Sequence, residues 1–192
     1  MKILPNIKAL IFDCDGTLAD SEPLHSQAWR ENFAEYGLEC IDQFFEDHAG
    51  IPSETIVHKY NKLYGQNLDP QKFAQEVDSR AFEKLLHVQP VEPVVRIVQD
   101  YYRRLPMGVA SSGNPQNVLR TLKVLGLDEM LPVVVTIQDV ERPKPWPDIF
   151  LRAAELLEVD PGECQVFEDA DAGIEAAKAA GMNVVDIRPF KV

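Results

Sequence analysis

Residues Ile7–Thr17 read IKALIFDCDGT, a short β-rich apolar run from Ile7 to Phe12 that stops at Asp13-Cys14-Asp15-Gly16. A mostly apolar run of this length, emptying into a polar turn, predicts a strand buried in a parallel sheet. Side chains two apart leave an extended strand on the same side, so Asp13 and Asp15 can share one site while Cys14 points away and packs. Two carboxylates together can hold a metal through oxygen ligands, or divide the work of nucleophile and general acid/base. The bland alternative is a polar loop with caps. It accounts for a single aspartate better than for this five-residue string after a hydrophobic strand.

Downstream of that strand the pattern changes period. From Asp20 the apolar residues Leu24, Ala28, Trp29, Phe33 and Tyr36 fall on one helical face, and Gly37 is placed to end the helix. Ser53 is predicted to cap a helix carrying Ile56, Val57, Tyr60 and Tyr64, and Asp69-Pro70 to open another with Phe73, Val77, Ala81 and Leu85. Residues 19–87 thus read as all-helical, too long for a crossover, and are expected to form a small bundle with Trp29 in its core. After Pro90 the chain alternates: helix 92–104, strand 107–111, helix 115–125, strand 132–136, helix 147–158, strand 165–168, helix 171–180, strand 183–187. Such alternation predicts an α/β fold with helices on both faces of a parallel sheet. The expected architecture is a Rossmann-like core of residues 1–18 and 88–192 with an inserted helical cap of residues 19–87.

Composition limits the partners. With 192 residues, 45% hydrophobic and 26% charged, the chain has the balance of a globular enzyme. A net charge of −12 opposes nucleic acid and anionic membranes, since a polyanion would find no neutralising surface. An anionic substrate would need local positive charge from a metal, a lysine or backbone N–H groups. The three cysteines, Cys14, Cys40 and Cys164, lack metal spacing and read as buried small residues in a reducing compartment. The start, MKILPNIKALIFD, has no signal-peptide pattern, and no run approaches a membrane span. A cytoplasmic protein, acting as a monomer, is the expectation.

Ligands of open α/β sheets bind beyond the carboxyl ends of the strands, and three more predicted strand ends carry polar groups. Ser111-Ser112-Gly113-Asn114-Pro115 leads into a helix whose start could present N–H groups to a phosphate, or could merely be capped by these residues. Arg142-Pro143-Lys144-Pro145-Trp146-Pro147-Asp148 holds a lysine in a stiffened loop, where it could neutralise a phosphoryl group or a nucleophilic carboxylate; most lysines are simply solvated. Glu168-Asp169-Ala170-Asp171 puts three acids at a strand-to-helix junction, which the helix dipole alone can explain. Their joint occurrence at separate strand ends is what favours function.

In order, DCDGT from Asp13, Ser111, Lys144 and Glu168-Asp169 resemble the four motifs of the haloacid dehalogenase superfamily. The helical block, entered through Asp20-Ser21-Glu22-Pro23-Leu24-His25 with Trp29, is similar to the cap of its β-phosphoglucomutase-like branch. The resemblance implies that Asp13 attacks phosphorus, giving an aspartyl phosphate, and that Asp15 protonates the leaving oxygen and later activates water. It implies Mg²⁺ held by Asp13, the Asp15 carbonyl and Asp169, with Glu168 nearby through water. Ser111 and Lys144 would hold the phosphoryl oxygens, beside Ser112, Gly113 and Asn114. His25 would contact substrate or orient Asp15; a structural or solvated histidine is the alternative.

Mutases of this branch share the motifs and differ in the cap, where an arginine grips a second phosphate. Here Gly50-Ile51-Pro52-Ser53-Glu54 places Ser53 at that position, and the lysine those mutases carry in a later cap helix has no clear counterpart, although Arg80 could reach in. The chain therefore resembles sugar phosphatases of the fructose-1-phosphate phosphatase group, acting on a small phosphosugar. A phosphoglucomutase-type mutase is the second reading. A catalytically idle binder is the third, against which stand Asp13, Asp15, Lys144 and Asp169.

Overall fold

A computed structural model describes residues 1–48 and 50–191. The first strand, β1 (Ala9–Phe12), is buried along its whole length and lies in the middle of a five-stranded parallel sheet. On one side it pairs with β4 (Met107–Ala110), which pairs with β5 (Val133–Val135); on the other it pairs with β6 (Cys164–Glu168), followed by β7 (Asn183–Asp186). The order is β5-β4-β1-β6-β7, and every pairing in this sheet is parallel.

The two-residue period of β1 divides the core. Leu10 and Phe12 face a cluster with Val109, Phe167 and the apolar stripes of α5 (Glu92–Tyr101) and α6 (Pro115–Leu125). Ala9 and Ile11 face the opposite cluster, with Val166 and residues of α7 (Asp148–Leu156) and α8 (Asp171–Ala179). Full burial of each large apolar side chain contributes ~1.5–3 kcal/mol relative to leaving it in water. Phe12 is registered with Val109 and with Phe167, and its ring stacks on Phe167 at 5.0 Å. The residues that follow these three strands therefore emerge side by side at one end of the sheet.

The remaining helices are α1 (Glu22–Glu35), α2 (Asp42–Glu46), α3 (Ser53–Tyr64) and α4 (Pro70–Lys84), which share a separate core of Ala28, Trp29, Phe33, Phe44, Tyr60, Phe73 and Val77. Phe33 makes ring contacts with Trp29, Phe45, Tyr60 and Phe73.

Local details differ from the sequence pattern. Residues 19–87 are not wholly helical: β2 (Ala19–Asp20) pairs antiparallel with β3 (Gln89–Pro90), so both chain crossings run through one two-stranded ribbon. Two residues cannot display a period, so no pattern announced it. Leu85 leaves the helical face and starts a 3₁₀ turn, packing with Ala19 and Val88 beneath that ribbon. Pro52, in extended conformation, precedes α3, and Ser53 is helical and does not cap it. Helix α5 stops at Tyr101, before Arg103 at φ 62°. Cys14 and Cys164 are buried as expected, whereas Cys40 is only half-buried. No helix among the described residues is long and apolar enough to cross a membrane.

Candidate active site

The carboxyl ends of β1 and β6 bring acids together, and a lysine from the loop before α7 meets them. Lys144 Nζ donates to Asp13 Oδ1 at 2.6 Å and to Glu168 Oε2 at 2.8 Å, with Asp13 131 residues away in sequence. The lysine is 1% exposed, so both ion pairs form where water cannot screen them. Glu168 has its other oxygen, Oε1, committed to the backbone N–H groups of Asp169 and Ala170, which locks the β6–α8 turn. Asp169 Oδ1 accepts from Thr17 Oγ1 at 2.8 Å, and Oδ2 accepts from Lys191 Nζ at 2.8 Å.

Asp15 leaves this cluster. Its Oδ1 accepts from Ser21 Oγ at 2.6 Å and lies 3.0 Å from His25 Nε2, both at the start of α1. His25 thus lies against Asp15, the contact that one of its two expected roles requires. In the β4–α6 turn, Ser111 Oγ accepts from Gly113 N at 3.1 Å, and Asn114 Oδ1 caps α6 by accepting from Gln116 N. A Cβ at Gly113 would stand 3.1 Å from Asp15 Oδ2 and 3.2 Å from Ser111 Oγ, so this turn closes directly onto the catalytic-acid candidate. Ser112 Oγ is buried without a hydrogen-bond partner among the described residues, a group that a phosphoryl oxygen would satisfy.

Arg80 does not reach the site. Its Nε donates to Asn32 Oδ1 at 3.0 Å and its Nη2 pairs with Glu35, so its side chain is spent on α1. Thr17, Ser21, Asp78 and Lys191 were not singled out as site residues from sequence. Thr17 stands inside the DCDGT motif and Ser21 directly after β2, at the start of α1, whereas nothing in the local pattern marks Asp78 or Lys191.

The electrostatics divide the two aspartates. Burial raises the Asp13 pKa well above the ordinary carboxylate value, the negative charge of Glu168 adds to it, and Lys144 opposes both. For Asp15, burial pushes upward too, but His25 and Ser21 outweigh it and the net shift is down. Burial alone would depress His25, and the Asp15 charge and hydrogen bond reverse that, raising it. Lys144 is raised in the same way: desolvation acts downward and is overcome by Asp13 and Glu168.

A divalent metal fits this donor set. Asp13, Glu168 and Asp169 each present a carboxylate oxygen within 4.8 Å of the others, all three buried. An all-oxygen anionic cluster is what Mg²⁺ takes, and an added dication would relieve the burial and repulsion that lift Asp13. Glu168 has both oxygens already engaged, which suits contact through water better than direct ligation.

The family model for haloacid dehalogenase-like hydrolases matches residues 10–187. The chain is 41% identical to the fructose-1-phosphate phosphatase YqaB of Escherichia coli over 180 residues, 93% of this chain and 95% of that one. It is 32% identical to a phosphorylated carbohydrates phosphatase of Thermotoga maritima, covering 92% of this chain and 82% of that one. Among solved structures, β-phosphoglucomutase from Clostridium difficile is similar with a TM-score of 0.81 at 27% identity, over 94% of this chain and 84% of that one.

Proposed function

This chain belongs to the haloacid dehalogenase-like hydrolase family, and from that premise we propose that it is a Mg²⁺-dependent phosphatase of small phosphosugars in which Asp13 is the nucleophile. The single observation that carries the reading is the convergence of Asp13, Lys144, Glu168 and Asp169 in one buried cluster. Asp13 Oδ attacks phosphorus in line, the bond to the sugar oxygen breaks, and an aspartyl phosphate forms. Asp15 donates the proton to the departing oxygen; then, as a carboxylate, it removes a proton from the water that cleaves the acyl phosphate. Splitting one hard displacement into two is the gain of covalent catalysis.

His25 supports both halves. Together with Ser21 it fixes the direction of the Asp15 carboxylate, through contacts of 3.0 Å from His25 and 2.6 Å from Ser21. Lys144 compensates negative charge on Asp13 and on the transferring group, while Glu168 holds Lys144 in place. In this reading the Ser111 hydroxyl and the N–H groups of Ser112 and Asn114, before α6, would bind the phosphoryl oxygens, the Gly113 N–H being donated to Ser111 Oγ. Asp13, the Asp15 carbonyl and Asp169 would hold Mg²⁺, which supplies positive charge to the phosphoryl oxygens and keeps Asp13 ionised.

Hydrolysis is favoured over mutase chemistry because neither cap position compared with the mutases offers a free cation for a second phosphate: Ser53 is neutral and donates to Asp78, and Arg80 is paired with Glu35. Phosphate release from a phosphosugar panel that includes fructose 1-phosphate, with Mg²⁺ and with EDTA, tests the reading. Turnover is expected only with metal and to fall at least ~10³-fold in Asp13→Asn; undiminished turnover in that variant would sink the mechanism. Glucose 6-phosphate made from β-glucose 1-phosphate would establish the mutase instead.

A further inference from the structure

Asp78, in the middle of α4, joins the helical unit to the sheet unit beside the catalytic acid. Its Oδ1 accepts from Ser53 Oγ at 3.0 Å and its Oδ2 from Asn114 Nδ2 at 3.3 Å. Its carbonyl oxygen accepts from Asn117 Nδ2 at 3.2 Å. Asn114 directly follows Gly113, which abuts Asp15, so a short chain of contacts runs from Asp78 to the catalytic acid. Burial raises the Asp78 pKa and its hydrogen bonds to Ser53 and Asn114 lower it; His25 and Asp15 both lie near enough for their charges to act on it.

Asp78 and Asn114 also line a groove of about 660 Å³ between α4 and α6, with Phe82, Glu83 and Gln138 along it. No lysine, arginine or histidine lines that groove among the described residues. A second phosphate entering there would meet two carboxylates, the Arg120 guanidinium being stacked on the Phe82 ring and not among the lining groups, and like charge without compensation is repulsive. A polyol would meet the Asp78 carboxylate, the Ser79 hydroxyl and the Asn114 amide, which match neighbouring hydroxyl groups as donors and acceptors.

We propose that Asp78, held by Ser53 and flanked in the groove by Asn114, determines specificity by accepting the hydroxyls of a singly phosphorylated polyol and by excluding a second phosphate. This rests on the phosphatase reading above. The position is one residue that a single substitution can invert: carboxylate for hydroxyls, cation for phosphate.

The test is kcat/KM of the full chain with Mg²⁺ on three probes: fructose 1-phosphate, fructose 1,6-bisphosphate and hydroxyl-free acetyl phosphate. Ratios between probes on one preparation cancel any unfolded fraction. In the wild type the monophosphate is expected to exceed the bisphosphate by tenfold or more. Asp78→Asn should lose ~10- to 100-fold more on fructose 1-phosphate than on acetyl phosphate, chiefly through KM, as expected for weakening a charged hydrogen-bond acceptor. Asp78→Lys should shift the ratio toward the bisphosphate by at least tenfold. Equal losses on fructose 1-phosphate and acetyl phosphate would show that Asp78 only fastens the two units together, and would overturn the proposal. So would a bisphosphate ratio unmoved by Asp78→Lys. A wild-type protein inert on all three probes would remove the phosphatase reading, and this inference with it.

Discussion

Gly16 takes φ +80°, and a Cβ added there would stand 2.2 Å from Asp169 Oδ2. Only glycine meets both conditions, because the left-handed conformation costs an L-residue ~1–2 kcal/mol and the carboxylate occupies the space a side chain would need. Gly16→Ala should displace Asp169 and lower kcat/KM by ~10²-fold, the scale of an ångström-sized misplacement, which steady-state kinetics would read.

His25 makes a second prediction at this scale. Its folded pKa is raised above the ordinary value of 6.5, so the stabilisation from its contact with Asp15 is complete below that value and is lost as pH rises through the folded one. Asp15 is lowered, so its share is present above the ordinary carboxylate value of 3.8 and lost as pH falls through its folded one. The Tm difference between wild type and His25→Gln should therefore be largest between those limits and shrink at alkaline pH. A difference constant from pH 5.5 to 9 would exclude the ion pair.

Among the elements, α4 shows how far local pattern carries. Asp69 Oδ1 accepts from Lys72 N at 3.0 Å and Pro70 occupies the first turn, as the dipeptide predicts. Asp69→Ala should cost ~1 kcal/mol, measured by denaturant unfolding. The same reasoning holds for Asn114-Pro115 at the start of α6 and fails for Ser53 at α3. Residue type permits a cap, but Ser53 Oγ has a partner in Asp78, 25 positions away, that no local rule can see. The β2–β3 ribbon escaped notice for a related reason: its strands are two residues each and pair across the whole helical insertion.

For the molecule as a whole, the carboxylate cluster predicts that Mg²⁺ binds the folded chain and not the unfolded one. At a hundredfold excess over Kd the ion should add ~2.7 kcal/mol to stability, seen as a rise in Tm that EDTA reverses. Asp169→Asn should remove most of that rise, independently of any activity. Against the −12 balance of the chain, Lys144 and Lys191 each meet a buried carboxylate of this cluster. Lys191 lies close to the end of the chain in a segment without periodicity, so its contact with Asp169 had no signal in sequence.

What the sequence determined by itself is everything that depends on short-range spacing: the buried strand before Asp13, the alternation of helices and strands, and the acids, serine and lysine at the strand ends. These follow because burial and period are written into neighbouring residues, and because parallel strands present their carboxyl ends together. Only the tertiary structure decided which groups meet. It placed Lys144 between Asp13 and Glu168, turned Asp15 to Ser21 and His25, spent Arg80 on Glu35, and set Asp78 against Asn114. Each of those pairings is fixed by sheet register and by how the helical unit packs over the sheet. These are long-range properties, selected by the packing of the whole chain and absent from any local stretch of it.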